Sequence, residues 1–429
     1  MFLALQQSTV PEQFGAVMLL EPREGFDVAL ATRVLADRVR GVPRMRQRVV
    51  AVPPLCGRPV WTDEAGFSIE QHVEHVECPR QGDEGALLDI AASRLVRALP
   101  PDRPLWAATF VTGLDGGRVA LILVVQHALA DGIGGLAVLG ALVDGAPVPA
   151  WRPFPMPLPP RRRLAADAFL TRGRAIITAP ARIRRALGDL RLPRGPRIGR
   201  AAACSLLLPA GPRRRIMVAR APLDALRDVA HQHGATVNDV VLTAVGGALH
   251  ATVGARGEHL DAVVVAVPAT TRQSATTEAL GNRFREIRAA IPAAGDPLDR
   301  LERVAAIMRT SKAAPSPVMG SLATSIARAT VAVGFHDWYL RRQRYIHTVV
   351  SNVRGPAHRV TLCGAPISEV LPIAVGGGSS NVTVTFAVLS YAGTVGVTVT
   401  ADPDRMPDLA ATTTALQEEL DALAAHVPG

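Results

Sequence analysis

Seven residues, Gln126-His127-Ala128-Leu129-Ala130-Asp131-Gly132, place a titratable ring, a carboxylate and a glycine directly after the apolar run Val119–Val125. A run of that length and β-branched content predicts a buried strand, and the end of a buried strand is where loops meet a cleft. An imidazole, with an ordinary pKa of about 6.5, is the natural general base at neutral pH. Asp131, four residues on, can bend back to orient the loop, and Gly132 permits a tight turn. Ile133–Val143 then predicts a buried helix for which Asp131 is placed as N-cap. Taken locally, the same residues equally describe a histidine satisfied by backbone and an aspartate that only caps a helix.

Other constellations carry less chemistry. The chain has no Gly-x-Ser-x-Gly nucleophile elbow. Val375–Ser380 is glycine-rich, but it lacks the lysine of a phosphate-binding loop and opens no obvious helix. His72 and His75, with Glu74, Glu77 and Cys78 close by, could be assembled as metal ligands. The alternation of that segment puts the two histidines on opposite faces, so the expectation is a strand with solvated polar residues. His231 and His233 read as surface residues. Cys56, Cys78, Cys204 and Cys363 lie far apart and form neither a zinc nor a disulfide pattern, which suits thiols in a reducing compartment. No metal is expected.

The elements that must position His127 fall into two lobes. Phe26–Arg40 has helical spacing, and Thr109–Val111 and Val119–Val125 predict strands joined by the turn 114–117, all within a first lobe covering 1–149. A connector, 150–215, follows: proline recurs at 153, 155, 157, 159 and 160, which excludes helix and sheet ladders. In the same connector Phe169, Ile176, Ile177, Ile183, Leu187 and Leu190 recur at helical spacings among arginines, and Pro180 is expected to interrupt that helix. The second lobe, 216–429, contains predicted helices Pro222–His233, Val237–His250 (with Thr236 as its cap) and Asp408–His426. Its strands are Ala262–Val267, Ile346–Val350, Val382–Leu389 and Val395–Thr400. The fold class is α/β.

The formal charge of +10 is local. Between Trp151 and Arg215 stand 16 arginines against two acids, so the rest of the chain is slightly acidic. Nucleic acid is therefore not the expected partner. An arginine-rich amphipathic stretch fits a peripheral contact with an anionic membrane instead, and equally fits a solvated helix packed on the protein itself. No apolar run approaches the roughly 20 residues of a spanning helix, and Met1–Val10 lacks the basic and apolar regions of a signal peptide. The expected location is cytoplasmic, with peripheral association at the inner face of the cell membrane or a lipid-droplet surface.

Gln126–Gly132 resembles the His-His-x-x-x-Asp-Gly motif of the coenzyme A-dependent acyltransferase superfamily, which includes chloramphenicol acetyltransferase and the condensation domains of peptide synthetases. More narrowly, the chain resembles the bacterial wax ester synthase/diacylglycerol acyltransferase family. The supporting motifs follow in order over nearly the whole length: Phe67–Val73, Pro104-Leu105-Trp106, Asn238-Asp239, Gly281-Asn282, Ser351–Pro356 and Leu389–Gly393. The resemblance implies two chloramphenicol-acetyltransferase-like lobes with mixed sheets and an active-site channel between them. It implies His127 as base, with Asp131 and Gly132 completing the motif, and Gln126 in place of the first histidine. A side chain one residue before His127 on a strand points to the opposite side, so glutamine is tolerable there.

By the same resemblance Asn238, Asp239, Ser351 and Asn352 line the cleft, and Pro104, Leu105 and Trp106 are a structural anchor. Asp131 needs a charge partner if buried, and Arg272 is the candidate. The implied reaction transfers a fatty acyl group from acyl-CoA, a co-substrate and not a cofactor, to the hydroxyl of diacylglycerol or a long-chain alcohol. Its products are triacylglycerol or wax ester. An acyltransferase or condensation-type enzyme with a non-lipid acceptor, and a catalytically silent acyl-CoA- or lipid-binding protein, are the alternatives.

Overall fold

The computed structural model describes residues 10–22, 26–147, 153–191, 198–270, 284–313, 336–378 and 380–426. Two mixed six-stranded sheets organise them. In spatial order the first comprises Thr361–Leu362 (β11), Ala365–Ala374 (β12), Gln13–Leu20 (β1), Val119–Gln126 (β6), Trp106–Leu114 (β5) and Val73–Gly82 (β4). The second comprises Arg215–Pro222 (β7), Thr394–Ala401 (β14), Val384–Tyr391 (β13), Thr348–Arg354 (β10), Ala262–Thr270 (β8) and Phe284–Pro292 (β9). A ribbon of Gln47–Val50 (β2) and Val60–Asp63 (β3) stands apart. The helices are Val28–Arg40 (α1), Glu84–Val96 (α2), Gly132–Leu142 (α3), Arg161–Arg191 (α4), Leu223–Gln232 (α5), Val237–Ala255 (α6), Pro297–Ala313 (α7), His336–Leu340 (α8) and Leu409–Ala424 (α9).

The unbroken apolar run of β6 has a physical cause in its two buried faces. Leu121, Leu123 and Val125 enter one core with α1 and α3, while Ala120, Ile122 and Val124 enter a second core with α2. Period-two alternation thus feeds two cores from one strand. A third core fills the second lobe, where α6 and α9 bury Val240, Val241, Val245, Leu416 and Leu420 against the sheet.

Sheet membership does not follow the chain halves. β11 and β12 come from the second half of the chain, yet β12 pairs antiparallel with β1, Phe14 opposite Ala374 and Val17 opposite Leu371. The lobes are therefore joined by a strand of one inserted in the sheet of the other, and β12 packs directly against β13 and β14. β1 and β12 were not anticipated in the sequence reading.

Pro180 does not interrupt its helix: α4 runs through it from Arg161 to Arg191. Proline removes one backbone donor and crowds the preceding turn. Here Ile176, whose carbonyl loses that donor, is exposed, so water can take the donor's place and the helix tolerates the defect.

Candidate active site

β6 ends at Gln126 and His127 opens a turn. The turn is tied on three sides. The His127 amide donates to the Glu12 carbonyl at 3.1 Å, the Leu129 amide to the Gln126 carbonyl at 2.8 Å, and the Ala128 amide to Gln126 Oε1 at 2.7 Å. Gln126 is fully buried. On the alternation of β6 Gln126 falls on the α2 side with Ile122 and Val124, whereas His127 lies against Phe14 on the other side, and Gln126 Oε1 reaches round to hold the turn. Its cross-strand partner Gln13 points to α2, donating to the carbonyls of Leu95 and Arg97 at 3.2 and 2.9 Å.

The imidazole of His127 lies against Phe14, with ring centroids 4.5 Å apart. Phe14 fits because Gly135 leaves room: a Cβ there would stand 2.6 Å from Phe14 Cε2. Asp131 Oδ1 accepts from the Gly134 amide at 2.8 Å, its carbonyl accepts from Gly135 at 2.7 Å, and the residue is buried as the N-cap of α3. Burial pushes the His127 imidazole down to about 4, against the opposing pull of the Asp131 carboxylate. The ring is therefore neutral throughout the physiological range, with a lone pair available. Phe14 was missed in the sequence; nothing local marks it, because its place under His127 depends on the pairing of β1 with β6.

The second lobe meets this loop through β10. A Cβ on Gly132 would stand 3.3 Å from Val353 Cγ2, so the start of α3 rests on that strand. Alternation puts Ser351 on the same face of β10 as Val353, and Asn352 on the other face. Asn352 Nδ2 donates to Asn238 Oδ1 at 3.2 Å in the first turn of α6. That bond fixes the orientation of the Asn238 amide, leaving its NH2 as a donor group. Asp239 does not share this setting. It is 3% exposed, and its Oδ2 accepts from the amide and hydroxyl of Thr236 at 2.9 and 2.8 Å, closing a capping box that starts α6.

Pro104-Leu105-Trp106 leads into β5. Trp106 is buried, donates from Nε1 to the Met45 carbonyl at 2.7 Å, and stacks on His72 at 4.5 Å. His72 is itself buried, with Nδ1 2.9 Å from the Trp106 carbonyl. It precedes β4 as the end of a helical turn, which corrects the expectation of a solvated strand residue. His75 is exposed as expected, with Nε2 2.8 Å from Thr112 Oγ1. Arg272 and Gly281-Asn282 lie outside the described residues.

Residues 1–241 match the wax ester synthase/diacylglycerol acyltransferase catalytic domain, and residues 280–424 match the C-terminal domain of the same family. A Mycobacterium tuberculosis relative named as a diacylglycerol O-acyltransferase is 32% identical over 66% of this chain, which spans 65% of that relative's length. A second relative from the same organism, named as diacylglycerol O-acyltransferase tgs1, is 28% identical over 92% of this chain and 87% of its own. Among solved structures, the wax ester synthase/diacylglycerol acyltransferase of Marinobacter aquaeolei superposes with a TM-score of 0.70 at 20% identity, covering 99% of this chain and 97% of that one. The first condensation domain of the CDA synthetase superposes with a TM-score of 0.60 at 20% identity, covering 100% and 94%. With both domain matches in order along the chain, the protein belongs to the wax ester synthase/diacylglycerol acyltransferase family.

Proposed function

We propose that this chain is an acyl-CoA-dependent O-acyltransferase that moves a fatty acyl group to the hydroxyl of diacylglycerol or a long-chain alcohol. The observation that carries this reading is an imidazole, His127, held in a hydrogen-bonded turn where α3 of one lobe rests on β10 of the other. His127 takes the hydroxyl proton as the oxygen attacks the thioester carbonyl. The resulting imidazolium, a strong acid in this setting, returns the proton to the departing thiolate, so the cycle is proton-neutral. General-base help of this kind contributes roughly 10²–10⁴-fold.

The Asn238 NH2, aimed by Asn352 and backed by the positive end of the α6 dipole, supplies hydrogen-bond donors for the tetrahedral oxyanion. Asp131 acts at one remove, by capping α3 and holding the turn. Ser351, on the Val353 face of β10, adds polar lining toward α3. The acyl and acceptor chains occupy a channel between the lobes.

α4 is the proposed contact with lipid. Phe169, Leu170, Ile176 and Ile177 are exposed, Ile177 to 79%, beside exposed Arg161, Arg162, Arg163, Arg172 and Arg174. Apolar residues entering the interface and guanidinium groups meeting anionic headgroups give a peripheral association. Among the described residues no helix is long and apolar enough to cross a membrane. The proposed location is the cytoplasmic side of the cell membrane or a lipid-droplet surface.

The deciding experiment incubates purified protein with a long-chain acyl-CoA and a panel of alcohols, diacylglycerol and amines, following thiol release and product by mass. Thiol release coupled to triacylglycerol or wax ester supports the reading. Transfer to a non-lipid acceptor alone, or no transfer at all, overturns it.

A further inference from the structure

Residues 12 to 14 form the floor of the catalytic turn, and one of them is a carboxylic acid that the reaction does not use. The Glu12 carbonyl holds the His127 amide at 3.1 Å, and the Gln13 carbonyl accepts from Val375 at 3.0 Å. The start of β1 is thereby stitched both to the catalytic turn and to the glycine turn that follows β12. Gly376, Gly377 and Gly378 all have positive φ, at 58°, 70° and 50°. The Glu12 carboxyl is laid over Gly378, where a Cβ would collide with it.

Arg214 clamps the same glycine turn from beneath. Its Nε donates to the Val375 carbonyl at 3.2 Å and its Nη2 to the Gly378 carbonyl at 2.7 Å. Its Nη1 donates to the carbonyls of Gly211 and Arg213, each at 2.7 Å. Most of its donors are thus committed to backbone. Its charge is already faced by Asp402, which is buried and accepts from the Gly211 amide at 2.6 Å. Among the described residues Arg214 is the charged group that acts on the Glu12 carboxyl, while His127 is joined to Glu12 through the backbone.

We propose that Glu12 is a protonation-dependent positioning residue: protonated, it keeps the glycine turn and the His127 turn in register, and on ionising it releases them. A neutral carboxyl sits over Gly378 without needing a charge partner. An ionised one must find donors, and the nearest cation is Arg214, whose donors hold the glycine turn. Drawing on them loosens Val375 and Gly378 and shifts the Glu12 peptide that anchors the base. Burial pushes the Glu12 carboxyl up to about 7, with Arg214 opposing, so the change falls within the physiological range.

The inference rests on the proposed transferase reading only for its kinetic arm, and a second arm is independent of activity. The first measures kcat against pH for the wild type and Glu12→Gln, an uncharged isostere. A group titrating near 7 goes from about 90% to about 10% protonated between pH 6 and 8, so wild-type kcat should fall about tenfold, while Glu12→Gln should stay level. The second follows amide hydrogen exchange in the segment 126–129, corrected for intrinsic rates. Protection there should drop about tenfold over the same range in the wild type and stay constant in Glu12→Gln. A wild-type profile flat from pH 6 to 8, or the same drop persisting in Glu12→Gln, overturns the proposal. A uniform loss of activity in the variant with an unchanged pH profile also overturns it, because that is the mark of a merely structural residue. If no acceptor supports transfer, the exchange arm still decides.

Discussion

Asn352 of β10 donates a side-chain hydrogen bond to Asn238 of α6 across 3.2 Å, and this bond determines which end of the Asn238 amide carries its free donors. Oxygen and nitrogen of an amide are otherwise interchangeable in shape, so the orientation is a property of the pair.

The pair supports a specific kinetic outcome. Asn238→Asp keeps the acceptor for Asn352 but removes the NH2. It should lower kcat about 10²–10³-fold, the scale of losing one oxyanion donor, with little change in KM for acyl-CoA. Asn352→Ala should cost less, because it frees Asn238 to rotate without deleting the donor. A purely structural role would instead show as a lowered melting temperature with kcat and KM moving together.

His127→Ala should abolish most transfer, by roughly 10²–10⁴-fold, with a change in unfolding free energy near neutral pH below about 1 kcal/mol, since its backbone bond to Glu12 is retained. The sign of the pH effect follows from burial. The folded-state pKa of about 4 lies below the ordinary value. The unfolded state therefore binds the extra proton first, and the associated stability is present above about pH 6.5 and lost as pH falls toward 4. The base itself remains deprotonated down to about pH 4, so kcat/KM should show no histidine limb between pH 6 and 8. A limb near 6.5 that survives Glu12→Gln would show the imidazole to be solvated.

Gln126→Ala should act mainly through folding. The side chain is fully buried and its Oε1 holds the Ala128 amide at 2.7 Å. Leaving that amide unsatisfied costs about 1–3 kcal/mol, and the catalytic turn loosens with it. Chemical denaturation should show the larger loss for Gln126→Ala and the assay the larger loss for His127→Ala. Equal stability losses would mean that the Gln126 cap is dispensable.

Replacing Phe169, Ile176 and Ile177 of α4 together with serine should weaken sedimentation with anionic vesicles by at least tenfold, while turnover on a water-soluble short-chain pair stays near wild type. The three side chains are exposed and make no core contact, so the fold should tolerate the change. Unchanged vesicle binding would assign α4 to a solvated connector.

What could be read along the chain was the part whose cause is local. The apolar run of β6, the histidine at its end, Asp131 as the cap of α3, and Thr236 as the cap of α6 each follow from residues within a few positions of one another. The ordered motifs extended that reading to the family. What lay beyond it depends on partners far apart in sequence. His72 looks polar and solvated in its own segment, but stacking with Trp106, 34 residues on, as well as with Phe67 buries it. The helix across Pro180 persists because the carbonyl that loses its donor belongs to an exposed residue, and exposure is not written in the local pattern. Phe14 and Glu12 reach the catalytic turn because β1 pairs with β6 on one side and β12 on the other. That insertion closes a loop of more than 340 residues, and no periodicity or cap encodes it. The sequence by itself determined the chemistry offered at position 127. The tertiary structure decided that burial holds its imidazole neutral, that its turn is anchored to β1, and that Asn352 bonds Asn238, because burial and contacts between distant segments exist only once the sheets have formed.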